Sequence, residues 1–205
     1  MLSVKNLCIE RNNKRIIEDL TFHLKGQTRL FVQGDIGTGK TTLLLALLGF
    51  VPISKGELRL FDQICQKEKD FAPFRGRVGI CFQNANDQLF GPTVLDDVAF
   101  GPLNQQHPRE YAYQLAEQQL ERLGIAHLKD RTVHTLSGGE KNFTALAGVL
   151  AMQPQILLLD EPTNGLDRKN IEKLTALLRE LGLPMLISSH HQGFIDGLAD
   201  EIIGL

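Results

Sequence analysis

The fold of this chain is decided by one stretch, Gly34-Asp35-Ile36-Gly37-Thr38-Gly39-Lys40-Thr41. It has the form GxxxxGK[ST], follows the apolar residues 30–32, and opens a helical run over residues 41–48. Glycines let such a loop curl until successive backbone N–H groups converge on phosphate oxygens, and the helix N-terminus adds a partial positive charge. The pattern therefore predicts a strand, a phosphate-binding loop and a helix, in that order.

Three side chains at the end of this loop are expected to contact a bound nucleoside triphosphate and its metal ion. Lys40 should reach the β- and γ-phosphates, the Thr41 hydroxyl should ligate Mg²⁺, and Thr42 should lie in the same site. A glycine-rich turn that matches by chance is the alternative. The loop alone leaves kinases, GTPases and ATPases open.

A second motif places two acids at the end of a predicted strand. Residues 156–159 are apolar at every position, as expected for a central strand covered on both faces, and Asp160 and Glu161 follow. Open α/β sheets bind ligands at the carboxyl ends of their strands. Asp160 is suited to hold Mg²⁺, usually through water, whereas Glu161 can orient and deprotonate an attacking water. The alternative is a pair of solvated acids that end a strand.

A second short glycine turn, Leu136-Ser137-Gly138-Gly139-Glu140, lies at a predicted helix start. Backbone N–H groups at such a turn form an anion-binding place distinct from the first loop. In isolation this motif is weak.

The rest of the chain indicates an α/β fold with a largely parallel sheet, because short apolar runs alternate with helical stretches. Between residues 84 and 135 the strand pattern stops, and from Arg109 to Gly124 apolar residues recur at helical spacing. We therefore predict one domain over residues 1–205, with a mostly helical subdomain at about 84–135. Strands are predicted at residues 2–9, 28–33, 57–61, 78–82, 156–159 and 185–188.

Composition narrows the class of protein. The chain has 22 Lys and Arg against 24 Asp and Glu and no basic stripe, which argues against a nucleic-acid partner. Three widely spaced cysteines predict buried structural thiols in a reducing compartment. The first residues lack a signal-peptide pattern, and the most apolar run, residues 43–53, falls short of the ~20 residues that span a bilayer. We expect a cytoplasmic chain whose membrane role comes through a partner.

Taken in order, these motifs resemble the ABC ATPase family over nearly the whole chain. Residues 34–41 match the Walker A loop of that family. Gln83 follows the strand predicted at residues 78–82 and matches the Q-loop, and residues 136–140 resemble the LSGGQ signature. Several elements in the family's order are far more specific than any one of them.

The remaining elements of the resemblance follow in the second half of the chain. Asp160 and Glu161 match Walker B and its catalytic acid, residues 164–167 look like the D-loop, and His190 looks like the switch histidine. Gln83 as an ordinary polar loop residue and His190 as a surface imidazole are the alternatives. The adjacent His191 competes for the switch role, but an acid commonly follows the switch histidine in related proteins, so we assign the role to His190.

The resemblance implies a P-loop NTPase fold of the ABC cassette type, with a mainly parallel sheet core, an inserted helical subdomain and an N-terminal antiparallel β region. It also implies that two copies pair head to tail, so that ATP on one P-loop is covered by Ser137, Gly138 and Gly139 of the other copy. Closure would expel water and complete the site, and hydrolysis would reopen the dimer. A monomer should be nearly inactive.

Further roles come from the same resemblance. His190 would contact the γ-phosphate, and Asp167 would cross the dimer interface. Gln83 would contribute to the Mg²⁺ site, sense the nucleotide and relay to a partner.

Around Gln83, residues 82–90 (Phe-Gln-Asn-Ala-Asn-Asp-Gln-Leu-Phe) and 93–102 look like the energy-coupling-factor ATPases, which drive uptake of cobalt, nickel and vitamins. In that group the ATPase docks on a membrane-embedded coupling protein, which joins a separate substrate-binding membrane subunit. The resemblance thus implies a peripheral position at the cytoplasmic face of the inner membrane. Cobalt or nickel is the first choice of cargo, because single-cassette uptake systems for these metals resemble the chain overall.

Other functions stay open beside this one. The chain could be the ATPase of another ABC importer or exporter, or a soluble ABC ATPase that serves no transporter. DNA-repair and chromosome-structure relatives would carry a long coiled-coil insertion, and translation-associated relatives would carry two cassettes. The sequence has neither feature.

Three features depart from the family pattern. Residues 7–12 offer no aromatic side chain to stack on adenine, and Arg11 is the nearest candidate because its planar guanidinium can stack on a base. A solvated arginine in a turn beside Asn12 and Asn13 is the alternative.

Phe143 stands where relatives carry an arginine, and the C-terminal extension of many relatives is missing, so reduced dimer stability or activity is a further alternative.

Overall fold

The computed structural model describes residues 1–11 and 14–205. Within these residues the chain forms two β-sheets and seven α-helices. The strands are β1 (Leu2–Arg11), β2 (Lys14–Leu24), β3 (Arg29–Gln33), β4 (Lys55–Leu60), β5 (Gln63–Ile64), β6 (Val78–Cys81), β7 (Ile156–Asp160), β8 (Met185–Ser188) and β9 (Glu201–Gly204). The helices are α1 (Lys40–Leu47), α2 (Glu68–Phe71), α3 (Val94–Asn104), α4 (Arg109–Arg122), α5 (Gly138–Ala151), α6 (Arg168–Glu180) and α7 (Gln192–Leu198).

The larger sheet is parallel throughout, with strand order β6-β7-β8-β3-β9. Every residue of β7 and β8 is buried, which confirms the reading of residues 156–159 as a central strand. Alternate side chains of β7 enter two different apolar clusters, one on each face of the sheet. The sheet is therefore covered on both faces, as continuous apolar runs predict.

The smaller sheet is antiparallel, with strand order β2-β1-β4-β5. Its buried face shares an apolar cluster with α1 and with one face of the parallel sheet. Helix α1, with Leu43, Leu44 and Leu47 buried, belongs to that cluster. The first helix after the loop at residues 34–39 is thereby held firmly against the sheets.

The other face of the parallel sheet is covered by α5, α6 and α7, and the helices α3 and α4 continue the same apolar cluster. Helices α3 and α5 approach closely at Gly148, where an added Cβ would lie 3.8 Å from Cα of Val98. The helices α3 and α4 lie within the predicted subdomain at 84–135, and α5 packs on both of them. The division of the chain into one cassette with this insertion stays a prediction.

The structure adds strands that the sequence pattern did not indicate. Strand β2 carries six exposed residues among eleven, and its buried positions do not alternate regularly. Its pairing with β1 contains register shifts, which explain the irregular pattern. Strand β9 is short, at the edge of the parallel sheet and mostly exposed, so it lacks the apolar run expected of a parallel strand.

The cysteines fall into two environments. Cys65 and Cys81 are buried, as predicted, and burial raises the pKa of Cys81 to about 12. Cys8 is only half-buried, because it lies between the buried residues Leu7 and Ile9 of β1 and faces the other side of the sheet, so the prediction was wrong for this residue. Among the helices that the structure describes, none combines the length and apolar character needed to cross a membrane.

Candidate functional site

Four chain segments singled out in the sequence meet at one edge of the parallel sheet. The loop at residues 34–39 follows β3, Gln83 follows β6, Glu161 follows β7, and His190 follows β8. Since these strands are parallel, their carboxyl ends lie at the same edge, where open α/β sheets bind ligands. Residues far apart in the sequence are thus brought into one cleft.

This cleft has a volume of about 650 Å³, large enough for a small-molecule ligand. It is lined by Arg11, Ile16, Ile36, Gly37, Gly39, Lys40, Thr41, Thr42, Gln83, Asp160, Glu161, Thr163, Asn164, His190 and His191.

The loop at residues 34–39 curls around the Lys40 side chain. Lys40 is 8% exposed, and its ammonium donates to the carbonyl oxygens of Gly34 at 2.7 Å and Asp35 at 3.1 Å. The Thr38 hydroxyl donates to the same Asp35 carbonyl at 3.0 Å. The lysine charge is therefore held at the mouth of the loop and at the first residue of α1, where an anion is favoured.

Gly39 shows why this loop needs glycine. Its φ of 104° lies in the left-handed region, and an added Cβ would collide with Cγ2 of Ile16. Ile16, on β2, forms an apolar part of the cleft wall that the sequence analysis missed because β2 itself was not predicted. The loop motif alone therefore could not predict a bulky aliphatic side chain beside the loop.

The Thr41 hydroxyl and the Asp160 carboxylate meet in the cleft. The Thr41 hydroxyl donates to Oδ2 of Asp160 at 2.6 Å, and the Ser188 hydroxyl donates to Oδ1 at 2.6 Å. Ser188 also accepts from the backbone N–H of Glu161 at 3.0 Å and is fully buried. Ser188, which the sequence analysis gave no role, thus orients the Asp160 carboxylate and holds the backbone of Glu161.

This donor set fits Mg²⁺. A hydroxyl and a carboxylate are the hard oxygen ligands that Mg²⁺ takes, and Mg²⁺ usually completes its shell with water and phosphate oxygens. Among the described residues there is no group of three His, Cys, Asp or Glu side chains that would hold a metal without such help. The cleft thus suits a metal ion that arrives with a phosphate ligand.

Glu161 and His190 contact each other at the same edge. The backbone N–H of His190 donates to Oε2 of Glu161 at 3.1 Å, and Nε2 of its ring lies 3.1 Å from Oε1. The Glu161 side chain is 13% exposed and that of His190 49%. Glu161 has a φ of 46°, which turns the chain sharply after the strand and aims the carboxylate at the cleft.

The neighbouring His191 has a different environment. Its Nδ1 accepts from the backbone N–H of Phe194 at 3.0 Å, so its ring caps the start of α7. His190 is the histidine whose ring reaches Glu161. The two adjacent histidines thus have different contacts, and His190, to which the sequence analysis assigned the switch role, is the one beside Glu161.

Ser137, Gly138 and Gly139 do not line this cleft. They form the start of α5, where Ser137 and Glu140 make a capping box: the Glu140 carboxylate accepts from the Ser137 N–H at 2.7 Å. That hydrogen bond is the main cause of the lowered pKa of Glu140. Ser137 and Gly138 are exposed, so their side of the turn is free to meet another molecule.

Helix α5 connects this turn to the segment after Glu161. The Asn142 side chain donates to the carbonyl of Asn164 at 3.0 Å, and Asp167 caps α6 by accepting from the N–H of Asn170 at 2.8 Å. Phe143 is 3% exposed, with the Lys173 ammonium 4.7 Å from its ring centre. Phe143 therefore packs inside the chain rather than facing outward with the turn.

Comparison with known proteins agrees with a cleft that is suited to a phosphate ligand and Mg²⁺. A family model described as ABC transporter matches residues 17–164, most of the chain. This chain belongs to the ABC transporter ATP-binding family. Membership implies ATP binding and, in general, ATPase activity for this cassette.

The cassette is 80% identical, over all 205 residues and 94% of the relative, to an uncharacterized ABC transporter ATP-binding protein of Haemophilus influenzae. It is 41% identical over 181 residues to the energy-coupling factor transporter ATP-binding protein EcfA of Methanothermobacter thermautotrophicus. That match covers 86% of the cassette and 58% of the relative, so the cassette spans little more than half of that protein.

Two solved structures confirm the predicted fold. CbiO1 from Clostridium perfringens, described as part of the ABC transporter complex CbiONQ, matches with a TM-score of 0.89 and 31% identity over 99% of the cassette and 83% of that chain. A bacterial ABC transporter cassette solved as a dimer matches with a TM-score of 0.86 and 22% identity, covering 100% and 94%. The cassette is thus a P-loop NTPase of the ABC type, with a parallel and an antiparallel sheet.

Arg11 is exposed at the end of β1 and lines the cleft beside Ile16. The predicted turn at Asn12 and Asn13 lies outside the described residues. Replacing Arg11 with Ala should weaken ATP binding several-fold if its guanidinium stacks on adenine, since cation–π contacts contribute roughly 0.5 to 2 kcal/mol. Arg11→Tyr should restore or improve the affinity measured by calorimetry. Wild-type affinity of Arg11→Ala would show that the phosphates alone carry binding.

Proposed function

We propose that this cassette is the ATP-hydrolysing subunit of an energy-coupling-factor importer for cobalt or nickel ions, at the cytoplasmic face of the inner membrane. The observation that carries the ATPase part is the cleft itself, where Thr41 and Asp160 lie beside the Glu161–His190 pair. The importer type is supported by the sequence around Gln83 and by similarity to proteins named EcfA and CbiO1.

The loop at residues 34–39 and Lys40 would bind the triphosphate of ATP. The Lys40 ammonium bonds to two loop carbonyls, and a triphosphate would exchange these contacts for stronger ones to charged oxygens. Thr41, Asp160 and Gln83 would hold Mg²⁺, which supplies charge neutralisation at the phosphates. Thr42 would complete the phosphate contacts at the helix start.

Glu161 is the proposed general base. Its carboxylate would accept the proton of the attacking water, while its backbone N–H stays bonded to Ser188. His190 orients that carboxylate through its backbone N–H, and its half-exposed ring can leave Oε1 to contact the γ-phosphate. Such an exchange would free Glu161 when ATP arrives.

A second copy of the chain is the proposed source of the remaining contacts. Ser137, Gly138 and Gly139 lie outside the cleft of their own chain, although their turn presents helix N–H groups suited to a phosphate. Head-to-tail pairing would bring these groups over the P-loop of the partner. Asp167 would then lie at the interface.

The membrane partner would dock on an exposed aromatic groove. Phe90 and Phe100 are 59% and 46% exposed and pack edge to face with ring centres 4.5 Å apart. Buried Asp97 fixes Phe90 in place, because its Oδ1 accepts from the backbone N–H groups of Phe90 and Gly91 at 2.8 and 2.6 Å. An exposed aromatic pair with its backbone held rigid suits an apolar face of a helix from a coupling protein.

Replacing Ser137 with Arg tests the composite site. A bulky cation at the exposed turn should block the close approach of a second copy and abolish ATP-dependent dimers in light scattering, while ATP affinity of the monomer stays near wild type. Gln63→Arg adds the same charge on exposed β5, away from the cleft, and should leave dimers intact. Dimers that survive Ser137→Arg would refute the composite site.

The cargo is tested by transport. Co-expressed with a membrane-embedded coupling protein and a substrate-binding membrane subunit, the wild-type cassette should drive ATP-dependent uptake of cobalt or nickel, and Glu161→Gln should abolish that uptake. Uptake of a vitamin instead, export, or no dependence on the cassette would contradict the proposed cargo without touching the ATPase assignment.

A further inference from the structure

The side chain of Gln88 holds the backbone at the carboxyl end of β6, just before Gln83. The Oε1 atom of Gln88 accepts from the backbone N–H of Phe82 at 3.2 Å, and its Nε2 donates to the carbonyl of Ile80 at 3.3 Å. In a parallel sheet, one residue of a neighbouring strand makes this same pair of bonds to residues two apart. Because β6 is an edge strand of the described sheet, the carboxamide takes the place of an absent neighbour.

The turn between Gln83 and Gln88 is fixed at further points. Ala85 and Leu89 are buried in the apolar cluster beneath it. The Lys141 ammonium, on α5, donates to Oδ1 of Asn86 at 2.7 Å. The turn is therefore anchored on the core and on α5, and among the described residues Gln88 is its one side chain that hydrogen-bonds to the backbone at the end of β6.

The two glutamines face different recesses of the molecule. Gln83 is exposed and lines the cleft that holds Thr41 and Asp160, whereas Gln88 is half-buried and lines the groove beside Phe90. Phe82, whose N–H binds Gln88, directly precedes Gln83 in the chain. A shift of Phe82 would consequently move Gln83 within the cleft.

We propose that Gln88 is a positioning residue, whose paired hydrogen bonds to Ile80 and Phe82 set the place of Gln83 at the Mg²⁺ end of the cleft. The inference rests on the proposed ATPase function and on the place of Gln83 in it. Residues that orient a metal-site side chain typically change metal affinity about 10- to 100-fold when replaced. The effect should therefore appear in the Mg²⁺ dependence rather than in nucleotide binding as such.

The test replaces Gln88 with Met, which keeps the length and removes both hydrogen bonds. The Mg²⁺ concentration for half-maximal ATP hydrolysis should rise roughly tenfold, while ATP affinity without Mg²⁺ stays at the wild-type value because Lys40 is untouched. In a Gln83→Ala background, Gln88→Met should add no further shift. Gln88→Glu keeps the acceptor and loses the donor, so it should give a smaller shift and serves if the Met variant folds poorly.

The matched control is Gln155→Met. Gln155 accepts from Arg77 at 3.0 Å, at the opposite end of the same strand pair β6 and β7, so this change removes a glutamine hydrogen bond at an exposed position away from the cleft. It should leave the Mg²⁺ dependence at wild type. The proposal is overturned if Gln88→Met and Gln88→Glu keep wild-type Mg²⁺ dependence, if Gln155→Met shifts it equally, or if the Gln83 and Gln88 effects add.

A wild-type chain without hydrolysis would contradict the proposed function instead. The Mg²⁺ dependence of ATP binding by calorimetry then gives the same comparison among the variants. The two failures are therefore distinguishable.

Discussion

Replacing Glu161 with Gln should lower the rate of ATP hydrolysis by about 10² to 10⁴, because general-base catalysis contributes that much to rate. Glutamine has the shape of glutamate, so the contacts to His190 and Ser188 can largely persist while the proton acceptor is lost. ATP affinity should stay near wild type. With ATP bound and not hydrolysed, the variant should accumulate as a dimer.

The matched control for this prediction is Glu180→Gln, an exposed acid at the end of α6 with no part in the cleft. Phosphate release by this control should equal wild type. Unchanged hydrolysis by Glu161→Gln would remove Glu161 from the general-base role.

Replacing Lys40 with Ala should weaken ATP binding itself, roughly 10- to 100-fold, because hydrogen bonds to charged groups contribute about 1.5 to 3 kcal/mol. The Lys40 ammonium is buried at the mouth of the loop, so no other described cation at α1 replaces it. The dissociation constant is measured by calorimetry. An unaltered value would contradict the assignment.

Loss of the Lys40 side chain also removes its bonds to the loop carbonyls, and the loop could rearrange for that reason alone. Lys40→Met keeps most of the aliphatic stem and should weaken binding equally if charge is the cause. Lys55→Ala, an exposed lysine on β4, is the control and should bind ATP as wild type does. Thermal melting of all three reports whether folding is affected.

The sequence predicted those parts of the cleft whose functional residues lie close together in one short motif. The loop at residues 34–41 and the acids after β7 each combine a strand, a turn and functional side chains within a few residues, so local pattern suffices. Parallel strand order then brings them to one edge. The antiparallel N-terminal region was expected from the family resemblance, and the smaller sheet confirms it.

What the sequence could not predict depends on contacts between distant segments. Ile16 reaches Gly39 through the pairing of β2 with β1, and β2 is too polar and irregular to be recognised. Ser188 orients Asp160 across 28 residues, and no motif marks a buried serine for that role. The sequence assigned the switch role to His190, but it did not indicate that the ring of His191 caps α7.

The structure shows where the side chain of Phe143 lies, at the position where relatives carry an arginine. The residue is buried under Lys173 and takes part in the apolar cluster around α5, so it contributes to packing within the chain. An arginine at the same place would have to leave this environment or be paired there. This departure from the family pattern thus affects packing inside the cassette.

The central claim is that two copies of this chain close on ATP and hydrolyse it at composite sites. The most direct measurement is the rate of phosphate release per chain as the concentration of wild-type protein is raised, with ATP and Mg²⁺ saturating. We predict a rate per chain that rises with concentration until dimers dominate, with Glu161→Gln near zero throughout. No Mg²⁺-dependent release at any concentration, or a constant rate from a chain that light scattering shows to be monomeric, would contradict the account.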